Sequence, residues 1–372
     1  MIGNSVVGII FSNMHDDRLR ELTDIRAMGS VPYGGRYRAI DFVLSNMVNS
    51  GVNKVGIITK SNYQSLMDHL GSGKAWDLSR KREGLFILPP FGLGNDVYQS
   101  RIEALNGIFN FLTQCKEELV VMSDCHIIHT IDLRPVIDEH LEKNADITVV
   151  YKNSAMPADL PNRVRFELGR GRKVLEVIDG GEEIEGKCNW SMGIYVMKKA
   201  FLIKVVSEAI ARNRLSFIRD VLQRGSNDYR IYGYKFDGFT GVLGSMKGYF
   251  ESNMALMNPA VRSDLFRSDR PVYTKVRDEM PTRYGLGSSV HNSLIADGCL
   301  IEGEVENSVL FRGVTVAKGA HVRNCILMQD SVVGANSNLN FVIGDKDVIF
   351  GDNRSLMGYE SYPVYVAKGS EV

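Results

Sequence analysis

The chain has 372 residues, 44% of them hydrophobic, and its 44 basic side chains are balanced by 44 acidic ones. A net charge of zero gives no basic surface for nucleic acid or an anionic membrane, so neither is expected as a partner. The length suffices for one large core and a second, smaller domain, and near-neutrality protects poorly against self-association, so an oligomer is expected. The five cysteines are scattered and lack C-x-x-C spacing, which reads as reduced thiols. No basic-then-apolar leader and no apolar run of transmembrane length are evident, so the expected location is the cytoplasm.

Taken in chain order, Val6–Ile10 (VVGII) reads as a buried strand, followed by a loop and an Arg-Leu helix start. That is a place where α/β proteins seat a phosphate, usually on glycines. From Phe11 to Asp17 this loop has no glycine and ends in two acids. DFVLSNMVNSG then reads as a helix closed by Gly51, a plausible C′ residue. KVGIIT (54–59), ELVVMSD (118–124) and ADITVVYK (145–152) are short, β-branched and nearly continuous in apolar character, as buried strands are. SRIEALNGIFNFLTQC and LRPVIDEHLEKNA carry helical spacing. This alternation predicts a Rossmann-like α/β domain, with a mostly parallel sheet and helices on both faces. Ligands in such sheets bind beyond the carboxyl ends of the strands, where the opening loop and MSDCH (122–126) both fall.

Two apparent motifs are set aside. GSGKAW (71–76) looks like part of a P-loop but has Ala75 where a magnesium-binding hydroxyl belongs, and reads as a loop beside a helix end. His126 and His129 lie near Asp124 in DCHIIH, and two histidines without further clustered ligands read as structural; no metal site is expected.

Residues 259–284, rich in Arg, Asp and Pro, read as a linker. Beyond them the apolar positions change period: Val314, Ala320, Ile326 and Val332 recur every six residues, Val316, Val322 and Met328 run in parallel, and Ile343 and Ile349 resume the spacing. A six-residue step is the signature of a parallel β-helix. The predicted organisation is therefore 1–258 Rossmann-like α/β domain, 259–284 linker and 285–372 β-helix. His291 and His321 read as exposed residues on β-helix turns rather than as acyltransferase bases.

The stretch RAMGSVPYGGRYRAIDFVLSNMVNSG (26–51) resembles the bacterial glucose-1-phosphate adenylyltransferase (ADP-glucose pyrophosphorylase) family. The likeness continues through Ser123-Asp124, SMGIYV (191–196), YFESNM (249–254) and the C-terminal hexapeptides. It implies a nucleotidyltransferase domain of Rossmann type followed by a left-handed β-helix. In that family the opening run reads approximately L-A-G-G-x-G-x-R-L, then R-A-K-P. Anchored on Arg18-Leu19, its glycines become Asn13, Met14 and Asp16, and the lysine becomes Met28.

Further family positions depart. E-K-P aligns with Asp179-Gly180-Gly181, so the lysine is Gly180. W-x-D-V-G-T aligns with TGVLGS (240–245), placing Val242 where a second metal-binding aspartate belongs. G-T-A-D-A-V is represented only by GLGNDV (92–97). Asp124 is the one metal-type carboxylate retained; Asp179, Ser191 and Gly193 are the matches at the sugar pocket. Two loop acids facing a triphosphate would each repel it by about 1 kcal/mol per charge pair at ~4 Å in water, and by more near a protein surface. Phosphoryl transfer rests on positioning and on neutralisation by metal and cations, so these losses predict a chain inactive or nearly so alone, with no cofactor of its own and magnesium confined to a catalytic partner.

The pattern resembles the non-catalytic GlgD-type subunits of glycogen-making bacteria. It implies a regulatory subunit that joins a catalytic ADP-glucose pyrophosphorylase chain in a homo- or hetero-tetramer; the alternative is an active sugar-1-phosphate nucleotidyltransferase with an altered site. Basic residues around R-A-K-P and G-G-K-Y-R form an activator cleft in the family, so Arg26, Arg36 and Arg38 are candidates for an anionic effector, against the alternative of ion pairing with Asp24 or Asp41.

Overall fold

The structure is a computed structural model describing residues 5–81, 83–90, 98–181 and 186–372. Strand β1 (Val6–Phe11) is buried on both faces: Val6 and Ile10 enter one core, Val7, Ile9 and Phe11 the other. It is flanked in parallel by β2 (Lys54–Ile58) and β4 (Leu119–Asp124), and β2 by β3 (Gly84–Leu88). Helix α1 (Ala39–Asn49) follows β1 and ends at Ser50-Gly51, where Gly51 has φ +83°. Helix α2 (Arg101–Gly107) precedes β4, and α3 (Arg134–Glu142) follows it.

The second half of the nine-stranded sheet turns antiparallel, which the alternation of apolar runs did not signal. β5 (Ile147–Ala155), β6 (Val164–Leu168), β7 (Val174–Asp179), β8 (Lys187–Lys198) and β9 (Ile231–Phe236) complete it. β8 runs antiparallel to β4, β5 and β6, and only β9 returns parallel to β5. The sheet order is β7-β6-β8-β4-β1-β2-β3, with β5 beside β8 and β9 beside β5. Between Ser191 and Tyr195 the register of β8 shifts, and Gly193 there takes φ +70°, a bulge that redirects the strand beside Asp124.

Part of the stretch read as linker is ordered: Pro259–Leu265 is a helix capped by Asn258, and Arg283–Tyr284 already pairs with Leu300–Ile301. From there three parallel sheets of short strands wind into a β-helix. Its coils are not whole hexapeptide triples. Thr315 pairs with Val332 and Val332 with Ile349, seventeen residues apart each time. These coils therefore fall one residue short of three hexapeptides, and an earlier one, Leu300 to Thr315, is fifteen residues long. Val332 and Ile349, expected inside, are displaced accordingly: Val333, Val348 and Phe350 are buried, while Ile349 is 43% exposed. Corners are made by left-handed residues, among them Asn307, Asn324, Asp330, Asn336 and Asp347, types that tolerate this conformation through local side-chain hydrogen bonds. Phe341 stands at one such corner with φ +54°, and its ring lies 6.0 Å from that of Phe250 in the first domain.

One hydrophobic core spans both domains. Val309, Phe311, Ile326, Met328 and Ile343 of the β-helix pack into the cluster that holds Val31, Phe42 and Tyr249. At its edge Arg26, 3% exposed, places Nη2 2.8 and 2.9 Å from the two oxygens of fully buried Asp345. Asp345 also accepts from the Tyr365 hydroxyl at 3.0 Å and the Lys346 backbone N–H at 2.7 Å. No helix among the described residues is long and apolar enough to cross a membrane.

Removing one member of a buried pair strands the other's charge, at a cost of about 3–5 kcal/mol, whereas apolar replacement of both is often neutral. Urea unfolding of Asp345→Ala is therefore expected to show a loss in that range, with Arg26→Met/Asp345→Leu recovering most of it. A loss below about 1 kcal/mol for the single variant would show that the pair does not hold the seam.

Candidate functional site

The carboxyl ends of β1 and β4 lie side by side, with Phe11 in register with Asp124. The loop after β1 crosses this edge, and Ser12, Asn13 and Asp16 bond one another and neighbouring backbone. Asn13 Nδ2 donates to Asp16 Oδ2 at 2.7 Å and to the Ser61 carbonyl at 3.2 Å; its Oδ1 accepts from Ser12 Oγ at 2.7 Å and from the Lys60 backbone at 3.1 Å. Asp16 Oδ1 accepts from the backbone N–H of Met28 at 2.8 Å. The loop thus closes on itself with side chains where a glycine loop would present backbone N–H groups. Burial raises the Asp16 pKa, and the Asn13 and Met28 donors oppose that rise.

Two sequence expectations need correction here. Asp16 turns inward to cap the loop rather than outward toward a phosphate, and Asp17 is exposed, 3.9 Å from Arg18. Met28, at the family's lysine position, is 1% exposed and part of the core. Val242 is buried and paired with Ile127, and Leu243 N–H bonds the His126 carbonyl at 2.8 Å. The segment meant to carry a second aspartate therefore does reach the site, but presents apolar side chains.

Asp124 is buried and its partner is a cation that sequence reasoning missed. Arg101, first residue of α2, places Nη2 2.8 and 2.7 Å from the two Asp124 oxygens. Its guanidinium lies 4.3 Å from the ring centre of Phe11, 5.6 Å from Tyr195 and 5.9 Å from Phe217. A delocalised, weakly hydrated cation suits such an aromatic surround. The start of α2 is fixed by a capping box, in which Ser100 Oγ accepts from Glu103 N–H and Glu103 Oε2 accepts from Ser100 N–H. That motif was legible in S-R-I-E; the pairing with a carboxylate on another strand was not.

Two histidines complete the cluster. His15 Nε2 is 3.5 Å and His126 Nδ1 4.0 Å from Asp124 Oδ2, and their rings meet edge to face at 4.2 Å. Among the described residues neither of these nitrogens has a hydrogen-bond partner. His126 therefore faces the site, contrary to its structural reading, whereas His129 bonds the Ile127 carbonyl at 2.9 Å and packs on Phe236. Burial pushes the Asp124 carboxyl up, but Arg101 and His15 outweigh it and leave it below the usual carboxylate range. Burial holds His126 well below the usual imidazole value, with neighbouring His15 adding to the effect, so it is neutral. Gly193 closes the other side: a Cβ there would stand 2.9 Å from Asp124 Oδ2.

The divalent cation that the resemblance implies at Asp124 does not fit these residues. Both carboxylate oxygens already face a guanidinium, and no second carboxylate reaches the site among the described residues. A dication about 4 Å from Arg101 would meet a repulsion of roughly 8 kcal/mol at an effective dielectric near 20.

Beyond Arg101 an open cavity of about 330 Å³ is lined by Met14, Ser100, Asn162, Asp179, Ser216 and Arg219. Asp179 is thus on its rim, while Ser191 is 8% exposed and accepts from Gly193 N–H at 3.2 Å. Gly180, with φ +77°, has open space where a side chain would stand. Residues 92–97, the counterpart of G-T-A-D-A-V, lie outside the described residues.

The three effector candidates separate. Arg26 is consumed by Asp345, not by Asp24 or Asp41. Arg36 and Arg38 line a narrow cleft at the domain seam together with Lys275, Arg277, Arg312 and Lys346. Arg38 Nη1 donates to the Ser65 carbonyl at 2.6 Å, and its backbone N–H to Asp41 Oδ2 at 3.0 Å. Arg312 pairs with Asp297 at 3.1 Å. Arg277 and Lys346 make no ion pair among the described residues. Burial lowers the Lys346 pKa to about 7, with the positive charges of Arg38, Arg26 and Arg277 adding to the effect and Asp345 opposing it.

Residues 7–258 match the family described as Nucleotidyl transferase, and residues 279–361 the GlmU-like C-terminal hexapeptide family. The chain is 34% identical over 370 residues to the glycogen biosynthesis protein GlgD of Bacillus subtilis, covering 99% of this chain and 97% of that protein. It is 35% identical over 323 residues to GlgD of Geobacillus stearothermophilus, covering 86% and 84%. Against the glucose-1-phosphate adenylyltransferase of Bacillus anthracis it is 32% identical over 354 residues, 93% of each chain. Likeness of this extent shows that the chain belongs to the nucleotidyl transferase family, in the group formed by GlgD and the glucose-1-phosphate adenylyltransferases.

Proposed function

We propose that the chain is a regulatory, catalytically impaired subunit of ADP-glucose pyrophosphorylase in glycogen biosynthesis. It joins a catalytic chain that makes ADP-glucose from ATP and glucose 1-phosphate, and changes that chain's response through a shared interface. The observation that carries this reading is the loop itself: Asn13 bonds Asp16 and Asp16 holds the Met28 backbone N–H, so that side chains stand where the family uses glycines. The retained segments, Gly34–Asn46 and Tyr249–Met254, build core and domain seam, while of the altered positions Asn13 and Asp16 close the loop at the site and Met28 and Val242 have become apolar core.

Pyrophosphate release from ATP, glucose 1-phosphate and magnesium is expected to be undetectable with this chain alone. Turnover in the usual enzyme range, roughly 1–1,000 per second, would sink the proposal. Mixed with a catalytic homologue, it is expected to form a larger assembly by light scattering and to shift apparent substrate or activator affinity by roughly 5–150-fold, the span of about 1–3 kcal/mol of coupling. A chain that stays apart from the catalytic homologue removes the regulatory reading.

Asp16→Gly alone is expected not to create ATP binding by calorimetry, since Asn13, Met14 and Met28 still fill the loop. Tight binding by that single variant would show that the Asp16 carboxylate was the whole obstacle.

The seam cleft is proposed as the anion site, with Arg36 and Arg38 joined by Arg277 and Lys346. Sulfate, whose charge is constant over this range, is a suitable probe. Lys346 is protonated below about pH 7 and neutral above it, so sulfate affinity is expected to fall as pH rises from about 6 to about 8. Lys346→Met should flatten that dependence; an unchanged slope in the variant would assign it elsewhere.

A further inference from the structure

The geometry at the sheet edge points to a specific substitution of one cation for another. We infer that the Arg101 guanidinium stands in for a divalent metal at Asp124, making this site metal-independent, and that His15, Asp124 and His126 form a latent transition-metal site that Arg101 keeps shut.

Three observations carry this. First, Arg101 meets Asp124 as a metal would, through both carboxylate oxygens at 2.7 and 2.8 Å. Second, the side chain is anchored independently of that carboxylate, among the rings of Phe11, Tyr195 and Phe217 and by the capping box that starts its helix. It is 6% exposed, so its guanidinium is held in place rather than visiting from solvent. Third, among the described residues the histidine nitrogens that face Asp124 make no hydrogen bond. His15 Nε2 and His126 Nδ1 are buried, and with a carboxylate oxygen their ligand atoms all lie within 4.8 Å of one another.

Two imidazoles and a carboxylate are a donor set for zinc, cobalt or nickel, not for magnesium, which takes oxygen ligands. Tetrahedral ligands about 2.1 Å from a metal lie about 3.4 Å apart. The 3.5 and 4.0 Å separations from Asp124 Oδ2 are near that spacing. What prevents occupancy is charge. Asp124 is the only anion in the cluster, and Arg101 already neutralises it, so an incoming dication would leave the buried site strongly positive. Without the guanidinium, the same carboxylate would be a buried anion needing a counter-charge.

The inference reaches beyond the regulatory proposal and is tested without it, because it is read by metal binding rather than by activity or assembly. The full chain is dialysed against manganese and cobalt salts, and bound metal is measured by manganese electron paramagnetic resonance and by cobalt visible absorption. The unaltered chain is expected to bind neither at this site up to about 1 mM. Arg101→Met, which keeps an unbranched side chain and removes the charge, is expected to bind one cobalt per chain with the absorption of a nitrogen–oxygen site. Adding Asp124→Asn or His126→Gln to that variant should abolish it. One equivalent of either metal on the unaltered chain, lost in Asp124→Asn, would overturn the substitution. A folded Arg101→Met chain that takes up no cobalt would overturn the latent ligand set. Should Arg101→Met fold only when cobalt is present, the rise in its melting temperature on titration supplies the same readout.

Discussion

A carboxylate buried at the junction of two strands must have a positive partner, and in this chain Arg101 fills that requirement for Asp124. Much of the surrounding site is consistent with the pairing. The guanidinium needs a surface that tolerates a poorly hydrated cation, and Phe11, Tyr195 and Phe217 supply rings at 4.3, 5.6 and 5.9 Å. The carboxylate needs room, and Gly193 in its bulge leaves it. His126 stays neutral because burial disfavours its charged form. The loop after the first strand can then close over the edge with its own hydrogen bonds.

Much of this fold was legible in the sequence, for reasons that are physical and local. A strand buried on both faces writes a continuous apolar run, so β1, β2, β4 and β5 were readable to within a few residues. The antiparallel half was not, because β8 is written in the same apolar code, and direction depends on which neighbour a strand meets. The hexapeptide step identified the β-helix but not its phase. A corner shortened by one left-handed asparagine moves later residues by one place, and Ile349 passes from the interior to the surface.

The site was legible as a set of losses rather than as an arrangement. Met28, Val242 and the missing glycines could be marked by comparison with a resembling pattern, and the structure places them in the core, in a short strand pair and in a closed loop. Arg101 and His15 left no such mark. A lone arginine at a helix start and a lone histidine in a loop have ordinary surface uses, and only their convergence on Asp124 gives them meaning. The same holds for Lys346 and Arg277, which join Arg36 and Arg38 through the packing of the second domain.

The continuous core beneath the Arg26–Asp345 pair has a consequence for how the molecule comes apart. Val309, Phe311, Ile326, Met328 and Ile343 belong to the same apolar cluster as Phe42 and Tyr249, so each lobe, besides its own interior, shares a third cluster with the other. Separating them would expose a contiguous greasy face on each, a surface prone to aggregation. Heating should therefore produce one cooperative calorimetric transition rather than two successive ones. For the same reason, cutting the chain within 266–282 would not yield two soluble halves: the lobes are sequential along the chain but thermodynamically a single body.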